Sequence, residues 1–170
     1  GDLSKGLIIN EWLKIWEMDL GRVFTADFEV YGEKAQNPSD AEVRQDFPGG
    51  WTEDTVNKFM ANGRNEKENE AFNFVKTLAN FRKNSSALTT GKLMQFLPQD
   101  GMYVYFRYDA QQTVMIVMSQ NKDDKELSTE RFAEILGGFT SGKEVISGNT
   151  ISSLQKIKVP AMSIQVIELK

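Results

Sequence analysis

Apolar residues recur every three or four positions in the first half of this chain and every second position in the last half. Leu3, Leu7, Ile8, Trp12, Ile15 and Trp16 fall on one helical face, and Gly21 is placed to stop that helix. Phe24, Ala26, Phe28 and Val30 alternate with Thr25, Asp27 and Glu29, the pattern of a strand over residues 23–31. Residues 33–51 read as loop. Within them Asn37-Pro38-Ser39-Asp40 is a turn signal, because proline presets φ and Asn and Asp side chains bond their own backbone. Thr52 is placed to cap a helix whose first turn holds Glu53 and Asp54. That helix would bury Val56, Phe59 and Met60 and end at Gly63. A longer helix is predicted from about Glu66 to Lys83. Ala71, Phe72, Phe74, Val75, Leu78 and Phe81 give it a stripe wide enough for burial on more than one side.

The period changes after Asn84-Ser85-Ser86. Met94 and Phe96 oppose Leu93, Gln95 and Leu97, and Pro98-Gln99-Asp100-Gly101 is a turn. Met102, Val104, Phe106 and Tyr108 then face one way, and Tyr103, Tyr105 and Arg107 the other. Asp109 to Gln112 turns the chain into an apolar run over residues 113–119. These runs predict antiparallel strands joined by hairpins. A short capped helix is expected over residues 128–136, ending at Gly137-Gly138. Further strands are expected at 143–147, 154–159 and 162–169. Ser147-Gly148-Asn149 would be a turn, and Pro160 would mark a strand end or edge. The chain therefore divides into a helical segment, residues 1–84, and an all-β segment, residues 85–170. The fold class is α+β, with a C-terminal antiparallel β-module of the size of a small sandwich or barrel.

Composition narrows the chemistry. The chain has 170 residues, 40% hydrophobic and 26% charged, and a net charge of -4. This is globular composition without the basic patch of a nucleic-acid binder. The mixed cluster from Lys122 to Glu126 reads as a solvated loop. No run of about 18 apolar residues is present to make a transmembrane helix. No basic stretch precedes an apolar one in the manner of a signal peptide, and Gly1 in place of Met suggests that a native leader has been removed. The chain contains neither cysteine nor histidine. Thiol catalysis and thiolate metal sites are excluded, and a serine hydrolase triad or a zinc hydrolase site is improbable. No cofactor is expected.

Several stretches resemble the C-terminal end of alpha-amylase-family glycoside hydrolases, closest to the cyclomaltodextrinase and neopullulanase group. They are Asn37-Pro38-Ser39-Asp40, Arg44, Asp46-Phe47-Pro48-Gly49-Gly50-Trp51, Asn69-Glu70-Ala71-Phe72, Leu78, Phe81-Arg82-Lys83 and Tyr103-Val104-Tyr105-Phe106-Arg107. The Arg-x-Asp-Phe-Pro-Gly-Gly-Trp string is the most specific. The resemblance covers residues 37–170. It implies that the Gly-Gly-Trp loop follows the last strand of a (β/α)8 barrel, that residues 52–83 correspond to its closing helices, and that residues 88–169 correspond to a C-terminal sandwich. Residues 1–36 depart from the pattern. The family shows a Gly-Ile-Pro-Gln-like strand leading into Tyr-Tyr-Gly-x-Glu, and this chain has "GRVFTADFEVYGEK". Aligned backwards from Asn37, Glu29 meets the motif's glutamate, while the Tyr-Tyr-Gly is lost.

Retaining glycoside hydrolysis needs two carboxyl groups held across the scissile bond. In the family these come from earlier barrel strands, so the resemblance implies a non-catalytic region supporting a catalytic barrel. The substrate-binding candidates are Arg44, Asp46, Trp51, Tyr103 and Tyr105. Trp51 is expected to pack against the following helix, the alternative being stacking on a pyranose ring. Arg44 and Asp46 either hold their own loop or contact sugar hydroxyls. Tyr103 and Tyr105 either stabilise a sheet as cross-strand pairs or form a glucan-binding ladder. The implied partners are the catalytic barrel and an alpha-glucan, with neither nucleic acid nor membrane. Trp12 and Trp16 are expected to be core, the alternative being a patch that meets the missing barrel and that, left uncovered, would drive homo-oligomerisation. The resemblance implies periplasmic or cytoplasmic glucan breakdown.

Overall fold

A computed structural model describes residues 47–170. The strand expected at 23–31 and the helix carrying Trp12 and Trp16 lie outside the described residues. Among those described, Lys76–Lys170 belong to one compact unit and residues 47–75 to a second.

Residues 47–75 hold a looped segment, a single 3-10 turn at Ala61–Gly63 and the first part of helix α1, Glu66–Lys83. A reciprocal capping box starts α1. Asn65 Oδ1 accepts the Glu68 amide at 2.8 Å, and Glu68 Oε2 accepts the Asn65 amide at 2.7 Å. Glu66 and Glu68 in the first turn and Arg82 and Lys83 in the last complement the helix dipole. The helix expected at 52–63 is not formed. Asp54 and Asn57 direct their side-chain oxygens to nearby amides, which stabilises turns in place of helix. The expected burial of α1 on more than one side is also corrected: Ala71 is its buried residue, while Phe72 and Val75 are exposed.

In the other unit, Ser85 caps a short helix, α2 (Ser86–Thr89), with its hydroxyl accepting the Leu88 amide. Eight strands follow. They are β1 (Lys92–Gln95), β2 (Met102–Tyr108), β3 (Thr113–Ser119), β4 (Lys125–Ser128), β5 (Gly142–Glu144), β6 (Thr150–Ile151), β7 (Lys156–Val159) and β8 (Ile164–Leu169). Six form one antiparallel sheet in the order β1-β2-β3-β8-β5-β6, and β4 pairs with β7 in a two-stranded ribbon. The β1–β2 turn is built for glycine. Asp100 and Gly101 have φ of 53° and 70°, and Gln99 and Met102 exchange two bonds of 2.9 Å. Strand β8 pairs with β3, Val114 opposite Glu168 and Met118 opposite Ile164.

The alternation in β2 sends its residues into two cores. Met102, Val104 and Phe106 join Met115, Val117, Ile167 and Leu169 against Leu127, Ile157 and Val159 of the ribbon, with Phe132 and Leu136 between. This places two sheets face to face, and the fold is α+β with a β-sandwich-like C-terminal domain. On the other face Tyr103, Val114, Ile116, Met118 and Val166 meet Ala87, with Leu78, Phe81 and Leu88 packed against them. Strand β3 is buried along its whole length because both its faces are covered.

Three local expectations change. Ser128 ends β4, and the helix after it is a 3-10 turn at Glu130–Phe132 followed by helix α3, Ala133–Leu136. Thr129 does not cap it, because its hydroxyl donates to the Leu154 carbonyl at 2.5 Å. The charged cluster at 122–126 is only partly loop, since Lys125 and Glu126 enter β4. The strand expected at 143–147 stops at Glu144. That carboxylate is buried and accepts the amides of Ile146, Ser147 and Val166, folding the chain into a turn. Pro160 does follow a strand end, at Val159.

Candidate functional site

The Gly-Gly-Trp loop is shaped by one carboxylate. Asp54 Oδ2 accepts the Gly49 amide at 2.6 Å and the Trp51 amide at 3.0 Å. These amides, Trp51 first and Gly49 next, hold the Asp54 carboxyl below its ordinary range. The Lys58 amide reaches back to the Pro48 carbonyl at 2.9 Å, closing the loop. Gly49 has φ of 112°, and a Cβ there would stand 2.4 Å from Asn57 Oδ1 and 2.8 Å from Asn57 Cα. Only glycine suits both conditions.

A second set of contacts ties this loop to the start of α1. Lys58 Nζ lies 2.5 Å from Glu68 Oε2 and 2.7 Å from Oε1. Arg64 donates to Asn69 Oδ1 at 2.9 Å and to the Lys58 carbonyl at 2.8 Å, and its guanidinium lies 3.8 Å over the Phe72 ring. Asn69 Nδ2 donates in turn to the carbonyls of Ala61, Arg64 and Asn65. Asn57, Arg64 and Glu68 escaped the reading of the sequence, and Asp54 is placed there only in the first turn of a helix. The Asn65-to-Glu68 spacing was the one signal that could have found part of this set.

Trp51 is 65% exposed. The expectation that it packs against a following helix is corrected, because residues 52–60 form turns and bends. Its neighbour Phe47 instead meets Phe59 edge to face, centroids 4.8 Å apart, with both rings exposed. The outcome is a braced loop presenting a tryptophan ring to solvent.

Tyr103 and Tyr105 lie side by side on β2, centroids 5.6 Å apart and 37° between planes. Their side of the sheet is the one covered by α2 and the end of α1. Tyr103 is 8% exposed and donates its hydroxyl to Gln95 Oε1 at 2.9 Å. Burial raises the pKa of both phenols. Arg107, two residues on, donates to the carbonyls of Ala87 and Leu88, bracing α2. The two tyrosines are thus brought together, while Trp51 belongs to the other compact unit. Arg44 and Asp46 lie outside the described residues. Among the described residues, no group of three or more acidic, cysteine or histidine side chains is arranged to hold a metal.

A six-stranded antiparallel sheet with a ribbon across its core makes a β-sandwich-like domain whose fold is similar to part of larger solved structures. More particularly, residues 93–168 match the family described as the cyclo-malto-dextrinase C-terminal domain. Solved structures agree on the fold. AmyP in complex with maltose is similar at a TM-score of 0.54 and 15% identity, over 61% of this chain and 21% of that one. An Anoxybacillus alpha-amylase is similar at 0.50 and 20% identity, over 62% of this chain and 23% of that one. The chain thus spans less than a quarter of either enzyme.

Proposed function

We propose that this chain is a non-catalytic C-terminal part of an alpha-glucan-acting glycoside hydrolase, supporting a catalytic barrel. The observation that carries this reading is the match of residues 93–168 to the cyclo-malto-dextrinase C-terminal domain. The exposed apolar residues Phe59, Met60, Phe72 and Val75 support it, since a partner barrel would cover such groups. The test is an assay on pullulan and cyclodextrins. The chain alone turns over neither, and added to an alpha-amylase-family barrel stripped of its own C-terminal domain it raises that barrel's melting temperature. Turnover by the clean chain alone overturns the reading.

A second reading is a glucan-binding module. It is favoured by the exposure of Trp51 on a loop locked by Asp54, since a fixed aromatic ring loses little entropy on stacking. Arg44 and Asp46 precede that ring in sequence, and Tyr103 and Tyr105 are the remaining candidates. Titration calorimetry with maltoheptaose and β-cyclodextrin tests it, and absence of heat at millimolar ligand eliminates it. The same exposed side chains would drive self-association of the isolated chain. Light scattering reads this directly, and a strict monomer at high concentration counts against it.

A further inference from the structure

We draw no further inference here: the strongest candidate, the exposed apolar surface of the loop and helix start that carries Trp51, Phe59, Met60, Phe72 and Val75, has nothing in the structure to show what covers it.

Discussion

Ser85 Oγ donates to Gln112 Oε1 at 2.5 Å while accepting the Leu88 amide at 3.2 Å. Gln112 Nε2 then donates to Glu168 Oε1 at 2.7 Å, and Lys170 Nζ lies 2.8 Å from the other Glu168 oxygen. One chain of polar contacts therefore ties the α1–α2 junction to the β2–β3 turn and to β8. Ser85 is 1% exposed, so its partners cannot be replaced by water without cost.

Replacing Ser85 by alanine removes a helix cap and strands the Gln112 oxygen. The expected loss is about 1–3 kcal/mol of unfolding free energy. Urea denaturation followed by far-UV circular dichroism measures it. A midpoint equal to that of the parent chain would refute the role given to this serine.

Acid should loosen the same network. Lys170 first, and Gln112 after it, hold the Glu168 pKa below its ordinary value of 4.5. A depressed folded pKa contributes stability that is fully present above the unfolded value and is lost as pH falls through the folded one. Asp109, lowered by the Ser86 hydroxyl and the amides of Gln111 and Gln112, acts with the same sign. Glu168→Gln is therefore expected to flatten the decline of melting temperature below about pH 4.5. Parallel declines in parent and variant would exclude Glu168 as a source.

Asp54→Ala is expected to act locally. Without the carboxylate, the Gly49 and Trp51 amides lose their acceptor, and their hydrogen exchange should accelerate at neutral pH. The protecting form is the ionised carboxylate, whose pKa is depressed, so protection in the parent should fade only in strong acid. Unchanged exchange at both amides in the variant would show that the loop is held by other contacts.

Core and edge should respond oppositely to truncation. Phe132 is 1% exposed, with Phe96 and Phe106 at ring centroids of 4.7 Å and 5.8 Å, and Phe132→Ala should cost about 3–5 kcal/mol. Leu97 is 79% exposed, and Leu97→Ala should fall within roughly 0.5 kcal/mol of the parent. Comparable losses from the two, measured by thermal denaturation, would contradict the assigned core.

We propose that the β-module folds on its own, and that its stability depends on where it is cut. A chain beginning at Lys76 keeps Leu78 and Phe81 over the second core, and a chain beginning at Ser85 lacks both. The longer piece should unfold cooperatively, with the shorter one several degrees less stable because Val114, Ile116 and Val166 lose apolar cover. Equal melting temperatures would remove α1 from the account of that core.

The division of labour between local and distant forces is visible in particular residues. Period-two patterning is enough to find β2 and to say which of its side chains point together, because alternation follows from strand geometry itself, and an apolar run bounded by a turn is enough to find β3. The Asp100-Gly101 turn and Pro160 were legible for the same reason, since each limits its own backbone torsions. Thr52 to Gly63 reads as helix because Thr52 is placed to cap it, Val56, Phe59 and Met60 share a face, and Gly63 can end it. The segment folds otherwise because Asp54 and Asn57 reach amides three to five residues away or nearer, a competition that periodicity does not register.

By itself, then, the sequence determined the antiparallel β-module, its principal turns, the extent of α1 and the family resemblance of its β-region. Those features rest on local torsional limits and on spacing along one element. The tertiary structure alone decided that β8 inserts between β3 and β5, that α2 covers the tyrosine face of β2, and that Glu144 ends its strand by capping three amides. It alone left Trp51 in solvent. Each depends on which distant groups meet after chain closure, a matter of mutual burial and hydrogen-bond satisfaction.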